Sequence, residues 1–480
     1  MHQVEVDGVP VVWQHAPGPL RASLLFRVGR RDETFVTGGI THLVEHLAMG
    51  ALGRTHLDCN ATVELGVTSF TATGREDAVV EFLARICAAL SDLPTDRLAT
   101  EASVVRAENS VVDHPAIAIL LACRYGARGV GLAGFDEPAL SALTAGQVRA
   151  HAGRYFVRGN AALTLTGPPP AALNLPLPDG GQQSLLPGTP LPLPRPTWSD
   201  HPLDGVALGM TGPDVEALAT GARILRNRLE DDLRHHRGLA YDIGWGSHLI
   251  RPDQAHIALH LDPRTPDVPT VARASVQALR ALAEAGPTEE DLAHDLSGFS
   301  EFVADERTIP DALDAYAADL LAGRPPLTAA QRLHAREQVT GDQVRAAVQE
   351  AVGSLQLLVH EQADLDAVAE GVHLVREPRS VIAPVTGRTL RRRLFSDAPR
   401  GSSLTIGDQG LTLQADGVTT TVRFADLVGV ARHPEGFYCV TGVDGLSIPV
   451  DAADWKDGEA AVALLRRHAP DHFWFDSESD

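Results

Sequence analysis

The chain has 480 residues, more than a single hydrophobic core usually organises, so two or three domains are expected. A formal charge of −21 and an apolar fraction of 44% describe a soluble globular chain and exclude nucleic acid as the main partner, because phosphate would be repelled. The four cysteines, Cys59, Cys87, Cys123 and Cys439, form no CxxC pair, which excludes a cysteine metal site or disulfide framework and suits a reducing compartment.

At the N-terminus MHQVEVDGVPVVW reads as a β-hairpin turning at Asp7-Gly8. It has neither a charged n-region nor an apolar h-region, so no signal peptide is expected. No apolar run reaches the roughly 18 residues of a membrane span, and the cytoplasm is the expected location. After Gly38 and Gly39, ITHLVEHLAM predicts a helix on which His42 and His46 project one turn apart from one face. That spacing lets two imidazole nitrogens reach one Zn²⁺ at roughly 2.0–2.1 Å each. Glu45 flanks the same face, placed to take a proton from a water there without being a ligand, and the order HxxEH is the inverted zincin pattern. Two helical histidines can also be partly buried and satisfied by backbone carbonyls, and a catalytic zinc needs a third protein ligand.

Asp77 to Leu90 predicts an amphipathic helix with Val79, Leu83, Ile86 and Leu90 on one face and Cys87 as a small core residue. Residues 98–114, LATEASVVRAENSVVDH, predict another, with Leu98, Ala102, Val105 and Val112 as its core stripe. Glu101 and Glu108 stand seven apart beside that stripe, sharing a face with Val104 and Val111. Carboxylates there are paired or metal-bound, or else belong to a solvated surface, the commoner place for a charge.

Thr144 opens TAGQVRA, and Thr340 opens TGDQVRA 196 residues later. Each precedes an apolar strand, NAALTLTG or SLQLLVHEQ, the pattern of a duplicated α+β unit. In the second copy Leu218, Leu225, Leu229 and Leu233 share a helix face. Between the copies, residues 168–202 contain 11 prolines and predict an extended linker, placed at 186–202. A second break at 377–402 carries turn residues and RTLRRRLF, read as a solvated arginine cluster with anionic lipid as the alternative partner. Domains 1–185, 203–376 and 403–480 follow. The last alternates polar and apolar residues between glycine turns and ends in one helix, GEAAVALLRRHAP, predicting a small β-barrel or sandwich. Its pattern is faintly similar to pleckstrin-homology-like domains.

The segment GRRDETFVTGGITHLVEHLAMG resembles the active-site segment of the pitrilysin-type, or insulinase-like, zinc metallopeptidases, the family of mitochondrial processing peptidase. The resemblance covers about residues 5–375. It implies an α+β fold of two homologous domains, each an antiparallel-rich sheet with helices. It implies Zn²⁺ held by His42, His46 and Glu108, with Glu45 as general base and Glu101 as a carboxylate that steadies a ligand. The second copy has no HxxEH, so one zinc per chain is expected. The 62 residues from His46 to Glu108 are short for the family, which a trimmed loop after Gly50 explains.

LEDDLRHHRGLAYDIGWGS resembles the family's late-domain signature, with Arg234 and Tyr241 in its two places. The resemblance makes them donors to the substrate carbonyl from the opposite half of a clamshell. By themselves they read as a helix-surface charge and a residue following the Gly238 helix stop, and His235 and His236 as solvent-facing. The family's Asn-Ala pair on an edge strand is expected after Gly66, where Phe70 and Thr71 stand, while Thr73 and Arg75 keep the pattern. That departure bears on side-chain selection, since strand addition by a substrate backbone needs no particular side chain. The family closes its chamber with four such domains. Two in this chain imply a homodimer or a heterodimer with a related chain, Arg234 and Tyr241 serving the partner's zinc, and peptides or unfolded segments as substrates. The alternatives are a non-catalytic peptide-binding subunit and, among enzymes, a leader-peptide processor.

Overall fold

A computed structural model of the chain describes residues 1–108, 114–213 and 215–477. Strands β1 (His2–Val6), β2 (Val9–Trp13), β3 (Leu20–Phe26), β4 (Asp58–Val63), β5 (Thr68–Gly74) and β6 (Ala161–Leu165) form one sheet in the order β1-β2-β6-β3-β5-β4. The first two are the hairpin expected at Asp7-Gly8. Val6 pairs with Val9, and both turn residues have positive φ, 52° and 80°, as a two-residue turn of this hand requires.

Helices α1 (Ile40–Gly50), α2 (Glu76–Ser91), α3 (Leu98–Glu108), α4 (Pro115–Tyr125) and α5 (Ala145–Tyr155) follow in chain order. All except α4 share a core with this sheet, where Leu43, Leu83, Val105 and Val148 meet Leu24, Phe26 and Phe70. Cys87 belongs to that core, and burial pushes its thiol up to about 12, which leaves it inert. The predicted core stripe of α3 holds at Ala102 and Val105, while Val111 and Val112 lie outside the described residues.

The second sheet repeats the plan. Strands β7 (Thr197–His201), β8 (Val206–Pro213), β9 (Ala240–Arg251), β10 (Gln254–Pro263), β11 (Gln356–His360) and β12 (Val375–Arg376) lie in the order β12-β7-β11-β8-β10-β9. Just as β6 runs parallel to β2 and antiparallel to β3, β11 runs parallel to β7 and antiparallel to β8. The meanders β3-β5-β4 and β8-β10-β9 are antiparallel throughout. The shared TxxQVRA segment marks equivalent helices. Thr144 and Thr340 each cap one, with the backbone N–H of Gln147 or Gln343 donating to the threonine hydroxyl at 3.3 Å. In this correspondence α1 and β4 match α6 (Glu216–Leu229) and β9.

Strand β7 begins directly after Pro196, inside the proline-rich stretch, and Leu175 and Leu177 of that stretch enter the first core. Proline bars a helix but is compatible with extended chain. The halves lend each other a helix. Ile117 and Leu120 of α4 pack with Ala207, Ala258 and Leu358 of the second sheet, and Ala317 and Leu321 of the helix Ile309–Leu321 pack with Leu25 and Ala162 of the first. Asp314 fixes this second crossing by accepting from Arg21 at 3.2 Å and Thr164 at 2.6 Å.

The C-terminal unit is two four-stranded sheets. One is β13 (Arg388–Arg391), β14 (Ser403–Gly407), β15 (Gly410–Ala415) and β16 (Val418–Arg423) in chain order. The other contains β17 (Leu427–Arg432), β18 (Tyr438–Gly442), β19 (Ser447–Val450) and β20 (Trp474–Asp476), ordered β19-β18-β17-β20. Leu404, Leu411, Val430, Val440 and Leu465 fill the space between them and the helix Glu459–His468. The sheets do not join, so of the two expected forms this is a sandwich and not a barrel.

Candidate metal centre

Helix α1 begins at Gly39, whose φ of 82° suits glycine and whose missing Cβ leaves room for the Glu137 carboxylate. Its first turn is capped from outside by Glu33, which accepts the N–H of Gly39 at 2.9 Å and of Thr41 at 3.0 Å. A carboxylate here satisfies orphan donors and complements the helix dipole. Arg30 holds Glu33 and Glu137 at 2.9 Å each, so the cap is itself anchored. Leu43, Val44 and Leu47 bury one side of the helix, which turns His42 and Glu45 toward a cleft of about 270 Å³, with His46 one turn on from His42.

There the three expected ligands meet. His42 Nε2 and His46 Nε2 are 3.2 Å apart, and Oε2 of Glu108 lies 3.4 Å from each. Tetrahedral Zn²⁺ with bonds near 2.0–2.1 Å spaces its ligand atoms by roughly 3.3 Å, so this near-equilateral triangle fits the ion. Glu45 Oε2 stands 3.6 Å from His42 Nε2 and 3.8 Å from His46 Nε2, beside the triangle. Glu101, buried, sets Oε2 3.3 Å from His46 Nδ1, and its Oε1 meets Arg97 at 2.8 Å. Arg97 went unremarked in the sequence, although its i,i+4 spacing to Glu101 is the available signal.

Burial, and then the neighbouring His46, pushes His42 down to about 4, so its imidazole is neutral and able to ligate at neutral pH. Burial pushes the Glu45 carboxyl up to about 7, with Glu108 and Glu101 adding repulsion and His46 opposing it. A carboxyl that titrates near neutrality both accepts and returns a proton there.

Strand β4 is the free edge of its sheet, and Ala61, Thr62 and Val63 line the cleft. This corrects the expected place of the Asn-Ala pair. Asn60-Ala61 stands on the edge strand before Gly66, whereas Phe70 lies on inner strand β5, fully buried against Phe26 and Phe156. The polar–apolar alternation of DCNATV signals a strand, but not which of the two adjacent strands takes the edge.

Arg234 and Tyr241 do not line this cleft. Arg234 sits on a π-helical turn, Glu230–His236, that extends α6; it pairs with Glu230 at 2.9 Å and lies 5.4 Å over the Tyr241 ring. Tyr241 is 77% exposed at the start of β9, the other sheet's edge strand, and its N–H is held by Asp262 at 2.8 Å. The two are thus brought together with each other and not with the histidines. His235 and His236 are exposed, as expected.

No family model and no curated protein matches the chain. Solved structures do. It is similar to a peptidase M16 inactive domain from Pseudomonas fluorescens at 16% identity and a TM-score of 0.61, covering 74% of this chain and 97% of that one. A protease from Helicobacter pylori matches at 14% identity and 0.61, covering 74% and 98%. The periplasmic protease PqqL from Escherichia coli matches at 16% identity and 0.60, over 88% of this chain and 55% of that one. The chain therefore has the two-domain α+β fold of M16, pitrilysin-type, peptidases. Among the described residues, no helix is long and apolar enough to cross a membrane.

Proposed function

We propose that the chain is a zinc-dependent metalloendopeptidase that hydrolyses peptides or unfolded segments. The observation that carries this reading is the triangle of His42, His46 and Glu108 with Glu45 beside it. When bound, Zn²⁺ supplies Lewis acidity toward a carbonyl and lowers the pKa of water toward about 7.

The chain's own residues do the rest. His42, His46 and Glu108 hold the ion, and Glu101 fixes the His46 ring through Nδ1 so that Nε2 faces the site. Glu45 takes the proton of the attacking water and returns it to the leaving amine. Strand β4 receives the substrate as an added antiparallel strand, its backbone groups supplying the register. Arg234 and Tyr241 donate to the carbonyl oxygen as it gains charge.

Because that pair stands apart from the cleft of its own chain, we assign it to the zinc of a partner in a homodimer or a heterodimer with a related chain. The proposed division is a zinc-binding domain at 1–185, a homologous domain at 203–376 and a small β-rich domain at 403–480, with the cytoplasm as the location. The test is a peptide library incubated with the full chain and read by mass spectrometry. Internal cleavage that disappears with a chelator and returns with Zn²⁺ is expected; cleavage indifferent to the chelator would contradict it. A non-catalytic peptide-binding subunit is the second reading, favoured by the inactive domain among the similar folds, and it expects retained but uncut peptides.

A further inference from the structure

A second group of metal-binding side chains lies where the two halves meet and shares no residue with the first. His114 precedes α4, its Nδ1 accepting the N–H of Ala116 at 3.3 Å. Asp242 on β9 places Oδ2 3.0 Å from Nε2 of His260 on β10. The His114 and His260 rings stack with centroids 3.5 Å apart and planes 6° from parallel. One ligand atom from each of the three residues falls within 4.8 Å of the others.

Two further observations mark this as a built site. Gly244 pairs across the strands with His260, and a Cβ at Gly244 would collide with Cε1 of that ring, so β9 is cut away to seat the imidazole. His260 is only 8% exposed, and its Nδ1 has no hydrogen-bond partner among the described residues. Nε2 is the nitrogen turned to Asp242, so the side of the ring that an ion would share with the carboxylate is the Nε2 side, and Nδ1 lies across the ring from it.

We propose that His114, Asp242 and His260 form a second divalent transition-metal site that ties the start of α4 to β9 and β10. Two neutral imidazoles and one carboxylate suit zinc and its borderline neighbours, cobalt and nickel, better than calcium or magnesium. The parallel rings must tilt to converge on one ion. If His114 ligates through Nε2, its imidazole proton moves to Nδ1 and the 3.3 Å capping bond to Ala116 is given up. His114 follows Glu108 by six residues, and Asp242 directly follows Tyr241. An ion here would therefore join the start of α4 to the strand carrying Tyr241. The role of Tyr241 rests on the metallopeptidase reading; the binding itself does not.

The test is equilibrium dialysis of the full chain against Co²⁺, with visible absorption as a second readout. The variants are His42→Asn with His46→Asn, and the same pair with Asp242→Asn added. Asp242 has a 60% exposed side chain, so its loss is compatible with folding, and thermal unfolding without metal checks this. The double variant is expected to keep one Co²⁺ per chain, and Asp242→Asn to weaken it roughly tenfold or more. A double variant that binds no Co²⁺, or one whose Co²⁺ is indifferent to Asp242→Asn, would overturn the proposal. If only the metallopeptidase reading fails, wild type binds a single Co²⁺ that the His42→Asn, His46→Asn pair keeps and Asp242→Asn weakens, and the second site stands.

Discussion

Glu101 and His46 are joined at 3.3 Å, carboxylate oxygen to Nδ1, from two different helices of the first domain. The contact fixes the ring so that Nε2 faces His42, and Arg97 on the other Glu101 oxygen keeps the carboxylate from turning away. Glu101→Gln is expected to lower zinc affinity by about 10- to 100-fold while leaving the ligands in place. Competition with a chromophoric chelator measures this, and an unchanged affinity would remove Glu101 from any orienting role.

Phe70 lies at the centre of an aromatic cluster with Phe26 and Phe156, so its part is structural. Phe70→Ala is expected to cost about 3–5 kcal/mol of stability through the cavity it leaves. Denaturant titration reads this directly. A variant as stable as wild type would place the side chain outside the core.

Arg234 and Tyr241 serve a partner's site in this account. Neither the Glu45→Gln chain nor the Tyr241→Phe chain is expected to cleave well alone. Mixed, subunit exchange creates dimers with one intact site, and roughly a quarter of the wild-type rate should return. A mixture no more active than its components would place the pair in the site of its own chain, or outside catalysis.

His256 is fully buried beside Tyr125, and burial, then Arg124, holds its imidazole well below the ordinary value of 6.5. The folded state keeps this group neutral while the unfolded chain protonates it. Its contribution to stability is therefore complete above pH 6.5 and is lost as pH falls below that value, by about tenfold in the folding constant per pH unit. His256→Gln should flatten the acid limb of the stability profile by that amount. An unaltered slope would mean that the imidazole is already charged in the fold.

The HxxEH helix and the paired sheets were legible because each rests on local periodicity or on a repeated capping segment, whereas Glu108 was singled out by the family resemblance, its own spacing fitting a solvated helix face equally well. Thr144 and Thr340 announced equivalent helices, and the sheets they lead into have the same strand order. What escaped depends on contacts distant in sequence or on a choice between neighbouring strands. The cap supplied by Glu33 requires the chain to loop back onto α1, and the place of Phe70 depends on which of two adjacent strands forms the sheet edge. The stacking of His114 on His260 joins residues 146 apart, beyond any local pattern.

The central claim is that Glu45 moves the proton in a metal-dependent hydrolysis. It is tested most directly by comparing wild type and Glu45→Gln, each loaded with zinc, on one quenched peptide that the wild type cuts. The account expects Glu45→Gln to retain its zinc and its fold while the cleavage rate falls roughly 100- to 10,000-fold. A Glu45→Gln chain that carries zinc and cleaves at the wild-type rate would contradict it.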